Sequence, residues 1–130
     1  ENVRQNLPEL IKAVSASGAK VTWSCDPMHG NSVSTSSGLK TRRFEDILAE
    51  LSASFEVHGE EGSTLSGVHF ELTGEDVTEC IGGALNIGEA DLDRNYESFC
   101  DPRLNYSQSM EMSFLISRYL NGTSKIKQRV

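Results

Sequence analysis

The chain has 130 residues, 37% of them hydrophobic and 24% charged, an ordinary globular composition that excludes a disordered or fibrous chain. Its formal net charge of −7 argues against a nucleic-acid surface, which needs clustered Lys and Arg, although a few local cations can still hold a small anion. No apolar run approaches the roughly 18 residues a membrane helix requires, and the polar start Glu1-Asn2-Val3-Arg4 lacks a signal-peptide core and an initiator Met, as in a fragment or a processed product.

From the N-terminus, Leu7, Leu10, Ile11 and Val14 recur at helical spacing, which predicts an amphipathic helix over about residues 3–17, stopped by Gly18. Lys20 to Cys25 is a β-branched and aromatic run that reads as a buried strand. It leads into the turn-rich Asp26-Pro27-Met28-His29-Gly30-Asn31, and then a Ser/Thr/Gly loop over 32–38. Phe44, Ile47, Leu48, Leu51 and Phe55 mark a second helix over about 43–58, and Gly67 to Leu72 a second strand. Gly82-Gly83 suggests a tight turn, 89–94 a short helix, 96–100 a third short strand and 107–120 a terminal helix. The tail with Lys125, Lys127 and Arg129 reads as a solvated end. Alternating helices and strands argue for parallel strands with helices outside: an open doubly wound sheet, or part of a (β/α)8 barrel.

Polar candidates gather at the predicted strand ends, where parallel α/β folds place their sites. Asp26 and His29 follow the first strand, Glu71 closes the second and Asp101 the third. His29, Glu71 and Asp101 offer one nitrogen and two oxygen donors, a set suited to manganese, iron or zinc. Their wide separation leaves plainer roles open: a surface His, a solvent-facing Glu, an Asp that initiates a turn before Pro102. Gly38-Leu39-Lys40-Thr41-Arg42-Arg43 gathers three cations before a helix N-terminus, which suits phosphate binding by Lys40 and an Arg, or simply a solvated loop. No GxxxxGK[ST] loop, CxxC pair or nucleophile elbow occurs. Cys25, Cys80 and Cys100 form an odd, unpaired set that reads as reduced thiols in a reducing compartment. Cys80 reads as a small buried hydrophobe, and His58 and His69 as structural, with His69 on the strand face of Glu71.

These residues fall into motifs. Trp23-Ser24-Cys25-Asp26-Pro27-Met28-His29-Gly30-Asn31 resembles the W-x-x-DPMHGN signature of class II (plant-type) 3-deoxy-D-arabino-heptulosonate 7-phosphate (DAHP) synthases. Gly38 to Arg42 resembles their GxKTR loop, and Gly67 to Gly74 their GGxHxExTG motif, with Ser66 in place of the first Gly. Asp76 to Gly83 resembles xVTECxGG, and Cys100 to Ser109 resembles CDPRLNxxQS. The resemblance implies that residues 1–130 are the C-terminal part of a (β/α)8 TIM barrel, a single incomplete domain with about three parallel strands and outer helices. It implies condensation of phosphoenolpyruvate with erythrose 4-phosphate and water, the first step of the shikimate pathway, or else a non-catalytic fragment that keeps part of the metal site.

On this resemblance His29, Glu71 and Asp101 are three of four ligands to a divalent metal, manganese foremost, with cobalt, iron or zinc as alternatives. The family's fourth ligand is a Cys in an N-terminal motif that none of Cys25, Cys80 or Cys100 matches. Lys40 matches a substrate-binding lysine, and Arg103 takes an orienting, catalytic role beside Asp101. Asp26 is assigned to catalysis as the carboxylate that tunes His29 or activates a water. No nucleic-acid or membrane partner is implied. The full-length enzyme is expected to be a homo-oligomer, in the cytoplasm, or in a plastid if the source is a plant.

Overall fold

In the computed structural model, which describes residues 2–122, the chain runs through α1 (Val3–Ser17), β1 (Trp23–Cys25), a 3-10 turn (His29–Asn31), β2 (Ser32–Ser34) and β3 (Lys40–Arg42). It continues through α2 (Phe44–Glu60), β4 (Leu65–Val68), a second 3-10 segment (Glu89–Arg94) and α3 (Tyr106–Leu120). The helices are the ones marked by apolar spacing, because each buries one stripe. Phe44, Ile47 and Leu51 of α2 join Met28, Leu65, Cys80, Leu104, Met112 and Leu115 in one core cluster. Gly18 ends α1 in the left-handed region, at φ 71, where a side chain would be strained. Helix α1 packs on α2, and α2 on β4 and α3.

β1 and β4 pair in parallel, with Trp23 opposite Leu65 and Cys25 opposite Val68. The result is a mixed α/β fold with few parallel strands, and several expectations need correction. Residues 32–38 are not all loop. Ser32–Ser34 pairs antiparallel with Lys40–Arg42, and the hairpin is closed by Thr35 N–H donating to the Leu39 carbonyl at 2.8 Å. Its mostly polar residues carry no apolar alternation, so periodicity is blind to it.

The second strand lies at Leu65–Val68, two residues earlier than expected at its start, and Glu71 falls beyond its end. The first is likewise shorter, with Lys20–Thr22 outside it. Residues 96–100 form no strand. Glu97 and Ser98 turn their N–H groups to the Glu79 carboxylate, at 3.1 and 2.9 Å, and Cys100 turns its own to the Ser98 hydroxyl. A side chain has taken the donors that a ladder would need. A third segment pairs instead at Leu104, in an isolated parallel bridge with Leu72. Leu104 N–H donates to the Glu71 carbonyl at 3.0 Å, and Thr73 N–H to the Leu104 carbonyl at 2.9 Å. Asp101 therefore precedes this third segment rather than closing a strand. The basic tail with Lys125, Lys127 and Arg129 lies outside the described residues.

Candidate metal centre

The Asp26–Asn31 segment folds around one carboxylate. Asp26 Oδ1 accepts the N–H groups of Met28 (3.0 Å) and His29 (3.2 Å), the Asx-type turn expected of an Asp before Pro. Met28 is fully buried and anchors the turn in the core. Asn31 ties it to the Pro27 carbonyl and to Glu50 of α2, at 2.9 and 2.8 Å. The other oxygen of Asp26, Oδ2, lies 2.7 Å from His29 Nδ1. Burial pushes the Asp26 carboxyl up, but the N–H groups of His29 and Met28 and the His29 ring outweigh it and hold the carboxyl below its usual range.

With Nδ1 committed to Asp26, His29 turns Nε2 toward Glu71, whose Oε1 lies 3.3 Å away. His29, Glu71 and Asp101 each offer one ligand atom, all within 4.8 Å of one another. Sequence positions 42 and 30 residues apart thus meet at one point. A second grouping, Asp26, His29 and His69, shares the imidazole, and the two rings lie 5.8 Å apart. There, however, Asp26 already occupies Nδ1 of His29. A neutral ring that donates from Nδ1 presents a lone pair at Nε2 to a carboxylate oxygen. Two facing acceptors of that kind suit a cation between them, so this donor set fits a divalent ion.

Two cations back the carboxylates. Lys40 pairs with Asp101 Oδ1, and the Lys40 ammonium holds that carboxyl below its usual range. Arg42, on the same strand, pairs with Glu71 Oε2. Lys40 is half-exposed, whereas Arg42 is fully buried. The segment read as a phosphate loop therefore has these two cations engaged by the candidate ligands. Its alternation offers a signal for this, since residues two apart on a strand share a face.

Arg103 points elsewhere. It holds Glu79 with Nε at 3.0 Å and Nη2 at 2.7 Å, and its N–H adds a bond of 2.7 Å. Together with the N–H groups of Glu97 and Ser98, these contacts outweigh the burial that would raise the Glu79 carboxyl, and hold it below its usual range. Glu79 and Arg103 fix the path of residues 97–103, and with it the position of Asp101. Sequence reasoning did not single out Glu79. A glutamate set inside the otherwise uncharged run Val77-Thr78-Glu79-Cys80-Ile81 was the available clue.

All three cysteines are free, and burial pushes the Cys80 thiol up to about 12, which makes it inert. Burial likewise raises Cys25, which contacts the Ser54 hydroxyl. His58 is buried edge-on against Trp23 and 3.0 Å from the Ser63 hydroxyl, a packing role. A cleft of about 710 Å³ borders Gly30 and Asn31 but is lined by none of Asp26, His29, Lys40, Glu71 or Asp101. Converging charge marks this site. Among the described residues no helix is long and apolar enough to cross a membrane.

A family model described as the class-II DAHP synthetase family matches residues 1–117. The chain is 53% identical over 117 residues to a phospho-2-dehydro-3-deoxyheptonate aldolase of Streptomyces coelicolor, covering 90% of this chain and 26% of that protein. It is 51% identical over 118 residues to one of Mycolicibacterium smegmatis, covering 91% of this chain and 25% of the relative. The identity to one of Neurospora crassa is 48% over 130 residues, covering 98% and 27%. The chain thus spans about a quarter of the length of these curated relatives. A match over most of its residues, at about half identity, means that this chain belongs to the class-II DAHP synthetase family.

Proposed function

We propose that residues 1–130 are one domain's C-terminal, metal-ligating part, within the (β/α)8 barrel of a DAHP synthase. The reaction is the condensation of phosphoenolpyruvate with erythrose 4-phosphate and water, releasing inorganic phosphate. The methylene carbon of phosphoenolpyruvate attacks the aldehyde carbon, and water adds to the cationic carbon left behind. The observation that carries this reading is the meeting of His29, Glu71 and Asp101 from three separate segments in a chain of this family.

Each residue then has a task. Asp26 accepts the Nδ1 proton of His29, fixes the ring and directs Nε2 into the site. Glu71 and Asp101 supply anionic oxygens. The three would hold a divalent ion, manganese foremost, then cobalt, iron or zinc, which when bound supplies Lewis-acid polarisation of the aldehyde. Lys40, half-exposed and paired with Asp101, is placed to take an anionic group of the substrate. Arg103 orients the Asp101 segment through Glu79. The working enzyme is a homo-oligomer in the cytoplasm, or in the plastid of a plant.

The test is phosphate release from the full-length protein with both substrates and Mn2+. Release should require both substrates and fall more than about 100-fold in a His29→Ala variant, since even residues behind metal ligands cost 10–100-fold. Release untouched by His29→Ala would remove the assignment. The covered quarter of the relatives supports a second reading, a fragment that keeps part of the site without turnover. Release by the 130-residue chain alone would exclude that reading.

A further inference from the structure

We infer that Arg42 is the positioning residue that assembles the three candidate ligands. The inference rests on the metal-centre reading above. A fully buried arginine is rare unless it is paired, and this one is paired in a particular way. Its Nε donates to the Ser32 hydroxyl at 3.2 Å, three residues after His29. Its Nη1 donates to the Glu71 carboxylate. The same nitrogen donates to the carbonyl of Pro102, the residue after Asp101. One guanidinium therefore touches all three ligand-bearing segments.

Each segment has anchors of its own, but none of the three ligands lies on a strand or an α-helix. His29 sits on a single 3-10 turn, Glu71 lies beyond the end of β4, and Asp101 lies in an irregular stretch. A planar fork with donors at fixed angles can set the relative position of three acceptors, whereas a lysine ammonium on a flexible stem cannot. The buried positive charge also offsets the repulsion between neighbouring carboxylates. Substrate contact is a poor alternative, because the side chain is fully buried. Its Nη2 is buried with no hydrogen-bond partner among the described residues, a cost that packing alone gives no reason to keep.

Mn2+ affinity, read by electron paramagnetic resonance titration of the full-length protein, tests this together with metal-free crystal structures. Arg42→Lys keeps the charge and loses the fork. It should weaken Mn2+ binding roughly 10–100-fold, the range for residues that orient metal ligands, while melting stays cooperative. In the metal-free variant, Glu71 and Asp101 should move away from His29. Unchanged affinity with the three groups still together overturns the inference and leaves the metal centre standing. A wild type that binds no Mn2+, with groups that disperse in Arg42→Lys, keeps the positioning role and removes the metal reading. Should Arg42→Lys fail to fold, Ser32→Ala removes one anchor of the same guanidinium. A severalfold loss of affinity there supports the inference, and no change overturns it.

Discussion

Glu79 shows how a buried charge can organise a segment with no regular structure. Its carboxylate accepts bonds from the backbones of Glu97, Ser98 and Arg103 and from the Arg103 side chain. Removing one partner of such a pair leaves the other uncompensated, so Glu79→Gln should destabilise the chain by about 3 kcal/mol, measured by urea unfolding at pH 7. The carboxyl is held below its ordinary value of 4.5, so the folded state prefers the ionised form. That contribution is fully present above pH 4.5 and is lost as pH falls through the folded-state value. The stability gap between wild type and Glu79→Gln should therefore be flat from pH 7 to 5 and shrink below. A gap that widens on acidification would contradict the pairing. Asp26 and Asp101 are shifted in the same direction, so acid should weaken the candidate site and the fold together.

At the scale of elements, α3 is a case where local sequence suffices. Asn105 accepts the N–H of Gln108 at 2.9 Å, and the Gln108 side chain accepts the N–H of Asn105 at 3.2 Å, a capping box written in four residues. The same two side chains also reach outward, Asn105 to the Val77 carbonyl and Gln108 to the carbonyls of Cys80 and Gly82. The Asn-x-x-Gln pattern thus starts the helix and fastens it to the segment that carries Glu79. Asn105→Ala should cost more than the roughly 1 kcal/mol of a lost cap, because a buried carbonyl also loses its donor. Chemical denaturation of the variant checks this, and a loss under about 0.5 kcal/mol would mean that the cap is redundant. The β2–β3 hairpin is the opposite case. Its polar strands read as loop, although they present Lys40 and Arg42 to Asp101 and Glu71.

For the whole molecule, the site's contribution to stability is measurable. An ion that binds only the folded chain at 100 times its dissociation constant should stabilise it by about 2.7 kcal/mol. Mn2+ should therefore raise the melting temperature, EDTA should reverse the rise, and His29→Ala should abolish it; an equal rise in that variant would place the ion elsewhere. Helices α1, α2 and α3 were legible in the sequence, because a 3.6-residue apolar period is a local property. The candidate ligands were legible as residue types at the ends of apolar runs and as parts of family motifs. The hairpin, the bridge of Leu72 to Leu104 and the loss of a strand at 96–100 were not. Backbone pairing there depends on which partner claims each N–H, and at 97–98 the partner is a glutamate 18 residues away or more. The sequence by itself determined the helices, the burial of Cys80 in outline, and the family. Only the tertiary structure decided that His29, Glu71 and Asp101 meet, and that Arg42 lies behind them. Those contacts join segments tens of residues apart, and no local period encodes their distance.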